Sequence, residues 1–404
     1  MSKNKFFWIL IILVIIGVIW LSHFYILNLR GVWTALKKPT ANITNLVAED
    51  KTPLQLPPGF SLSIYASGLK GPRVIVRDSR RNLLVSLPAD GKVVALVDAD
   101  LDGKAEEIKT VIAGLKNPHG LAFACLDSSV DKFPCKLYIA EENQVKVYDY
   151  DGGKLQAINV HKIIELPTGG FHTTRSLLLV GDSLYISVGS SCNVCHEKDN
   201  ERASVLVVDL KTNKVRPFVK GLRNSVFLST NPSDGKIWAT EMGRDLLGDD
   251  LPPDEINILE EGKNYGWPIC YGQNIHDTDF DKNIYFRNPC QTPFETSAHI
   301  DIPAHSAPLG LAFIPREGWP QNFQGDLFVA YHGSWNRSVP TGYKIVKYHL
   351  NKDGKVSGVE DFLTGFLDNH GNLYGRPVDI LVEPSGVMFV SDDKAGVIYK
   401  IMGN

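Results

Sequence analysis

Two stretches of the chain carry residue types that could do chemistry. GGFHTTR sets His172 three residues before Arg175, and SSCNVCHEK orders Cys192, Cys195 and His196 as C-x-x-C-H. An imidazole titrates near neutral pH and can take or give a proton, whereas C-x-x-C-H is the attachment string of a covalent haem. Further along, PAHSAPLG supplies His305, and YHGSWNRSVP supplies His332, Trp335, Asn336 and Arg337. The acidic run GRDLLGDDLPPDEIN, Gly243 to Asn257, joins carboxylates to a glycine-containing turn whose oxygens could hold a hard cation such as calcium. DADLDG, Asp98 to Gly103, opens like a calcium loop, but Lys109 stands where an EF-hand needs its glutamate. It reads as a solvated hairpin turn.

The elements that must position these groups are short. Beyond Leu56 the chain is made of apolar runs broken by Gly, Asp, Asn and Pro, which is the all-β pattern. One phrase of strand, turn and strand recurs six times, beginning at Gly71, Asn117, Thr173, Gly221, Ala307 and Tyr374. The first four copies are about fifty residues apart and the later ones more, a period typical of propeller blades with loop insertions. The expected fold is therefore all-β, a six-bladed β-propeller, preferred over a two-sheet sandwich that would have to be very large. FSLSIYA (Phe60 to Ala66) and GVIYKI (Gly396 to Ile401) could close the ring within one blade.

In a propeller the innermost strands converge, so equivalent residues at their start share one face. Aligning the six phrases puts Arg73, His119, Arg175, Arg223, Leu309 and Arg376 at that position. Four arginines and a histidine form a basic cup suited to a polyanionic ligand. The three loop histidines opening onto the same face add a candidate acid or base. The C-x-x-C-H string lies between the strands SLYISVGS and ASVLVVDL, inside the third blade. Covalent haem is normally held in a largely helical pocket with a second axial ligand. Cys192 and Cys195 read instead as a disulfide or thiol pair on the rim, with His196 a bystander.

The N-terminus asks for a different environment. FFWILIILVIIGVIWLSHFYILNL, Phe6 to Leu29, begins with an apolar run of spanning length and lacks a small-residue cleavage site after it. It reads as an uncleaved transmembrane signal anchor over 1–29, followed by a linker over 30–55 and the propeller over 56–404. Lys3 and Lys5 on one side, against Arg30, Lys37 and Lys38 on the other, leave the orientation unassigned by charge. The six cysteines fall into three local pairs, Cys125/Cys135, Cys192/Cys195 and Cys270/Cys290, which suit disulfides in an oxidising compartment. The propeller is thus expected on the periplasmic or extracellular side of a cell membrane. A net charge of −3 argues against nucleic acid as a partner.

Several motifs then coincide in register. GLRN, the E-x-G at Glu241 to Gly243, DEINIL and GKNYGWP resemble the soluble quinoprotein glucose dehydrogenases. CNVC, GRDLLGDDLPPDE, HSAPLGLAF, HGSWNRS and GRPVDI look closer to the sorbosone dehydrogenase branch of that family. The resemblance covers nearly everything beyond Leu56. It implies a six-bladed propeller that binds pyrroloquinoline quinone (PQQ), a tricarboxylate, together with Ca2+, and oxidises an aldose, sorbosone-like or other aldehyde substrate for an electron acceptor that the sequence does not name. By motif, His172 matches the general base, Arg223 and Asn224 the cofactor-contacting pair, and Arg376 a carboxylate-binding arginine. The carbonyls of Gly243 and Arg244 match the calcium turn. Arg175, His332, Trp335 and Arg337 complete the expected cofactor contacts, Arg337 replacing a lysine of the glucose enzymes. Met242 stands where those enzymes carry glutamine, and Phe171 where they carry aspartate. Two other readings compete: a metal-dependent lactonase on the same fold, and a ligand-binding propeller that has lost its cofactor.

Overall fold

The computed structural model describes residues 3–125 and 135–403. Six four-stranded antiparallel sheets are arranged as the blades of a propeller. From the inner strand outward, blade 1 runs Ile75–Arg77, Leu83–Leu87, Lys92–Val97, Glu107–Ala113; blade 2 starts at Leu121–Cys125 and blade 3 at Leu177–Val180. Blade 4 starts at Leu228–Thr230, blade 5 at Pro308–Phe313, and blade 6 at Pro377–Val382. The outermost strand of blade 6 is Phe60–Ala66, paired antiparallel with Val397–Gly403 from Phe60↔Gly403 to Ala66↔Ile398. The two ends of the propeller sequence therefore close the ring in one sheet, as the two strand motifs suggested.

Burial explains why the second strands are mostly apolar along their length rather than alternating. Leu83–Leu87, Ile237–Glu241 and Leu327–Tyr331 are buried at every residue, because neighbouring blades cover both faces. Each buried Leu or Val there is worth about 1.5–3 kcal/mol. Outer strands such as Glu107–Ala113 are mostly exposed and carry the charge. The glycine in the HGLAF and LGLAF phrases is enforced by close approach of inner strands. A Cβ on Gly120 would lie 2.5 Å from Arg175 O, and one on Gly310 would lie 2.7 Å from Val378 O.

Ahead of the propeller, helix α1 (Lys3–Asn28) is long and apolar enough to cross a membrane. Residues 30–55, expected as a plain linker, are ordered against the propeller. They form α2 (Val32–Leu36) and α3 (Ile43–Ala48), the latter capped by Asn42 Oδ1 accepting from Thr44 N at 2.9 Å. Ile43 is buried in the core shared by blades 5 and 6, and Gln55 bridges to Thr364. The chain thus passes over one face of the ring before it descends to Phe60.

Candidate active site

The face crossed by this segment is also where the connections between blades emerge. Its central loop, 166–174, is fastened from below. Arg175 is fully buried, and its guanidinium donates to the carbonyls of His172, Thr174 and Pro167 at 2.9, 2.9 and 2.8 Å. Arg202 donates to Thr168 O and Gly169 O of the same loop. Burial, and then Arg202, push the Arg175 pKa down to about 10. Arg175 is therefore a positioning residue beneath the loop. Its terminal guanidinium nitrogens, expected at a cofactor, are taken up by loop carbonyls, while Nε is left without a partner.

His172 is held by this loop with a defined tautomer. Its Nδ1 lies 3.0 Å from Ser190 O and 2.9 Å from Ser190 Oγ, while Ser190 Oγ gives its own proton to Cys192 O at 2.7 Å. A carbonyl only accepts, so Nδ1 carries the hydrogen and Nε2 keeps its lone pair. Burial, and then the Arg223 charge, push the His172 pKa down to about 3. The ring is a neutral base at neutral pH. Gly189 brings it beside the next blade: a Cβ there would meet His172 Cβ at 2.6 Å and Asn224 Oδ1 at 2.9 Å.

Arg223 and Asn224 precede the inner strand of blade 4. The Arg223 guanidinium donates to Asn193 O and Oδ1 and forms a 3.0 Å ion pair with Asp245, almost out of contact with water. Asp245 gathers more of the rim, accepting from Trp335 Nε1 at 3.0 Å and from Asn336 Nδ2 at 3.2 Å. Asn193 Oδ1 in turn accepts from Asp245 N at 2.8 Å. Asn224 N donates to Glu241 Oε1, and Asn224 Nδ2 lies 3.4 Å from Met242 Sδ. Met242 thus occupies its position with a thioether, a weak acceptor.

Across the face, blades 5, 6 and 1 supply a second cluster. Asp393 accepts from Arg73 at 2.8 Å and from His332 Nε2 at 2.9 Å. Arg376 donates to the carbonyls of His332 and Gly333 and lies over the Tyr343 ring. Burial, followed by Arg376, pushes the His332 pKa down to about 4. Lys394 donates to Ala35 O of α2 at 3.0 Å. His119, buried below, has Nε2 without a partner.

At the expected metal turn, Gly243 N donates to Asp254 Oδ1, and the carbonyls of Pro253 and Pro252 lie 2.7 and 3.5 Å from where a Gly243 Cβ would be. The Arg244 side chain points away to Asp277, Nε to Oδ2 2.8 Å. Arg337 reaches Asp250 at 2.6 Å, and His305 Nε2 bonds Gly248 O. Cys192 and Cys195 are joined to each other, so neither sulfur is free to hold a haem, and His196 packs on Phe280. Cys125–Cys135 and Cys270–Cys290 are also disulfides. In the Asp98 loop, oxygens of Asp98, Asp100, Asp102 and Glu106 all lie within 4.8 Å of one another, three of the four residues being exposed.

Residues 54–404 match the sequence profile of the TrAA12-like family. The chain belongs to that family. An uncharacterized protein of Borreliella burgdorferi is 31% identical over 89% of this chain and 94% of its own length. A PQQ-dependent sugar dehydrogenase of Hypocrea jecorina is 29% identical over 84% of this chain and 87% of its own. A PQQ-dependent pyranose dehydrogenase of Coprinopsis cinerea is 25% identical over 85% of this chain, which spans 54% of that protein. In three dimensions the chain resembles a Trichoderma reesei carbohydrate-active enzyme of family AA12, with TM-score 0.73, 24% identity, and 87% and 98% of the two chains covered.

In this TrAA12-like propeller, one face brings together His172, Arg223, Asn224, Arg376, His332 and Trp335, with Arg337 at the outer rim. Asn193, Asp245, Asp393 and Lys394 join the same networks, and the sequence had not singled them out. Asp393 had a signal. It directly follows the second strand of its blade, as Gly189, Met242 and His332 follow theirs. Aligning second strands as well as first strands would have found it.

Proposed function

We propose that the chain is a membrane-anchored quinoprotein dehydrogenase that oxidises a sugar hydroxyl, or a sorbosone-like aldehyde, with PQQ and Ca2+. The observation that carries the reading is an unprotonated His172 Nε2 on a face that also presents Arg223, Arg376, Arg73 and Lys394. The donor set fits the group: these cations suit a tricarboxylate, and the unpartnered His119 Nε2 lies buried beneath them. The Pro253 and Pro252 carbonyls and the Asp254 carboxylate lie close to Gly243, oxygen chemistry that suits a hard cation held by the Gly243 and Arg244 carbonyls. When bound, the quinone would accept hydride from the sugar carbon. His172 Nε2 takes the hydroxyl proton, while Ser190 holds Nδ1 and so fixes the ring. Arg223, kept in place by Asp245 and Asn193, stabilises negative charge that grows nearby.

The names of the Hypocrea and Coprinopsis relatives support the reaction class, and α1 supports the anchor. The three disulfides support an oxidising compartment. The test is reconstitution of purified protein with PQQ and CaCl2, followed by dye reduction with a panel of aldoses, pyranoses and aldehydes. Turnover that needs both additions is expected. Absence of both PQQ binding and turnover would sink the reading.

A further inference from the structure

The end of α1 is not a free tether. Asn28 Oδ1 accepts from Gly248 N at 3.2 Å, Lys394 Nζ donates to Ala35 O, and Lys37 Nζ donates to Gly371 O at 2.8 Å. Thr40 and Leu373 exchange two further bonds. Every one of these partners is a loop of the site face, on blades 4 to 6. The helix therefore leaves the bilayer at the rim of that face, and the contacts leave little slack to hold the face away from the lipid.

The rim is apolar on the same side. Trp33 and Leu36 of α2 are exposed, and so are Leu246 and Leu251 in the blade 4 loop. Trp335 and Val339 in the blade 5 loop, and Phe171 beside His172, extend the arc; Val339 is 71% and Phe171 74% exposed. A run of large apolar side chains around one opening exceeds the scattered exposure normal for a surface. Arg30, Lys37 and Lys38 add the cations, and the tryptophans the amphipathic rings, that favour a lipid headgroup layer. The acids on this arc are partly neutralised, since Asp250 pairs with Arg337. The loops of blades 1 and 2 on the same face, 67–74, 88–91 and 114–120, expose no large apolar side chain.

We propose that the arc of blades 3 to 6 is seated on the bilayer surface that α1 enters, with the polar rim of blades 1 and 2 open to water. This rests on the anchor and dehydrogenase readings above and adds a direction to each substrate. The sugar enters from the watery side. The electron acceptor comes from the lipid side and is a lipid-soluble quinone. The balance closes: the sugar C–OH loses two electrons and two protons to become a carbonyl or lactone, and the lipid quinone leaves as its quinol carrying both.

The test uses the full chain in vesicles of phosphatidylethanolamine and phosphatidylglycerol that carry a lipid nitroxide. With every native cysteine in a disulfide, Val339→Cys and Leu101→Cys can each be labelled singly with an environment-sensitive fluorophore. Leu101 is equally exposed, at 79%, but lies among the turns at the opposite end of the ring. Strong nitroxide quenching at 339 and none at 101 is expected. Equal quenching at the two sites, or none at 339, overturns the seating. Failure of the chain to float with vesicles overturns both the seating and the anchor. Separately, Val339→Asp and Leu36→Asp should cut decylubiquinone reduction several-fold while leaving dye reduction in detergent unchanged. A parallel loss of both, or no loss of either, overturns the lipid-side acceptor. Loss of dye reduction in the unaltered protein would instead indict the dehydrogenase reading.

Discussion

The two halves of the site face use the same residue types differently. In the blade 3–4 half, His172 is bonded through Nδ1 to a neutral carbonyl and hydroxyl, and Asp245 holds the arginine. In the blade 5–6–1 half, the histidine itself is bonded to a carboxylate, and Arg73 shares that same Asp393. A histidine that donates to an acid also keeps the lone pair of its other ring nitrogen, but with a carboxylate behind it. One that donates to a carbonyl keeps a lone pair available with no counter-charge behind it. On the proposed function, proton transfer would fall to the first half and anion binding to the second.

The largest expected effect would break that assignment outright. His172→Ala in PQQ-loaded protein should lower kcat by about 10²–10⁴-fold, the range for loss of a general base. PQQ affinity, read by fluorescence titration, should barely change. His332→Ala should do the reverse, weakening PQQ affinity with kcat largely kept at saturating cofactor. If both variants lose kcat alike, the halves are not divided in this way.

Next in size is the support of Arg223. Asp245→Asn removes its partly buried counter-charge and loosens the contacts of Trp335 and Asn336. Turnover should fall by about tenfold, less than the 10²–10³-fold loss typical for deleting a stabilising donor itself. Arg223→Ala should show that larger loss. Asp393→Asn, the matching change across the face, should act on stability: leaving Arg73 without its partly buried partner costs about 1–3 kcal/mol in denaturation of cofactor-free protein. An Asp393→Asn protein as stable as its parent would remove the network role.

This division was only partly legible in the sequence. The blades were legible because a strand buried on both faces must be apolar along its length, and six such phrases recur. The lead positions were legible too, yet equivalence within a repeat does not say where a long side chain goes. Arg175 and Arg223 occupy the same slot, but the former turns under the His172 loop and the latter reaches Asp245. That choice depends on which carbonyls lack donors, which only the folded loops reveal. Asp245 was hidden for another reason. It lies within an acidic run, and contacts from Trp335 and Asn336, some ninety residues away, single it out.

The smallest prediction asks whether the asymmetry reaches below the surface layer. Beneath the blade 4 half lies Glu255, and beneath the blade 6 half Asp392, each pushed up to about 7 by burial. Both carboxyls unfold into water, where their ordinary values are 4.5 and 3.8. Between those values and pH 7 the folded protein binds more protons than the unfolded chain, so stability falls as pH rises through this window. The contribution of these carboxyls to the melting temperature of cofactor-free protein should therefore rise from pH 8 to pH 6, against the neutral buried His172 and His332, whose lowered pKa values act in the opposite direction. Glu255→Gln and Asp392→Asn each remove one such carboxyl while leaving an oxygen to accept from Gly272 N and Arg376 N. Each should shrink the rise, and by similar amounts, since burial is the leading cause at both sites. A rise lost in one variant and untouched in the other would carry the difference between the halves into the scaffold. Equal shrinkage would confine it to the histidines and acids that line the face.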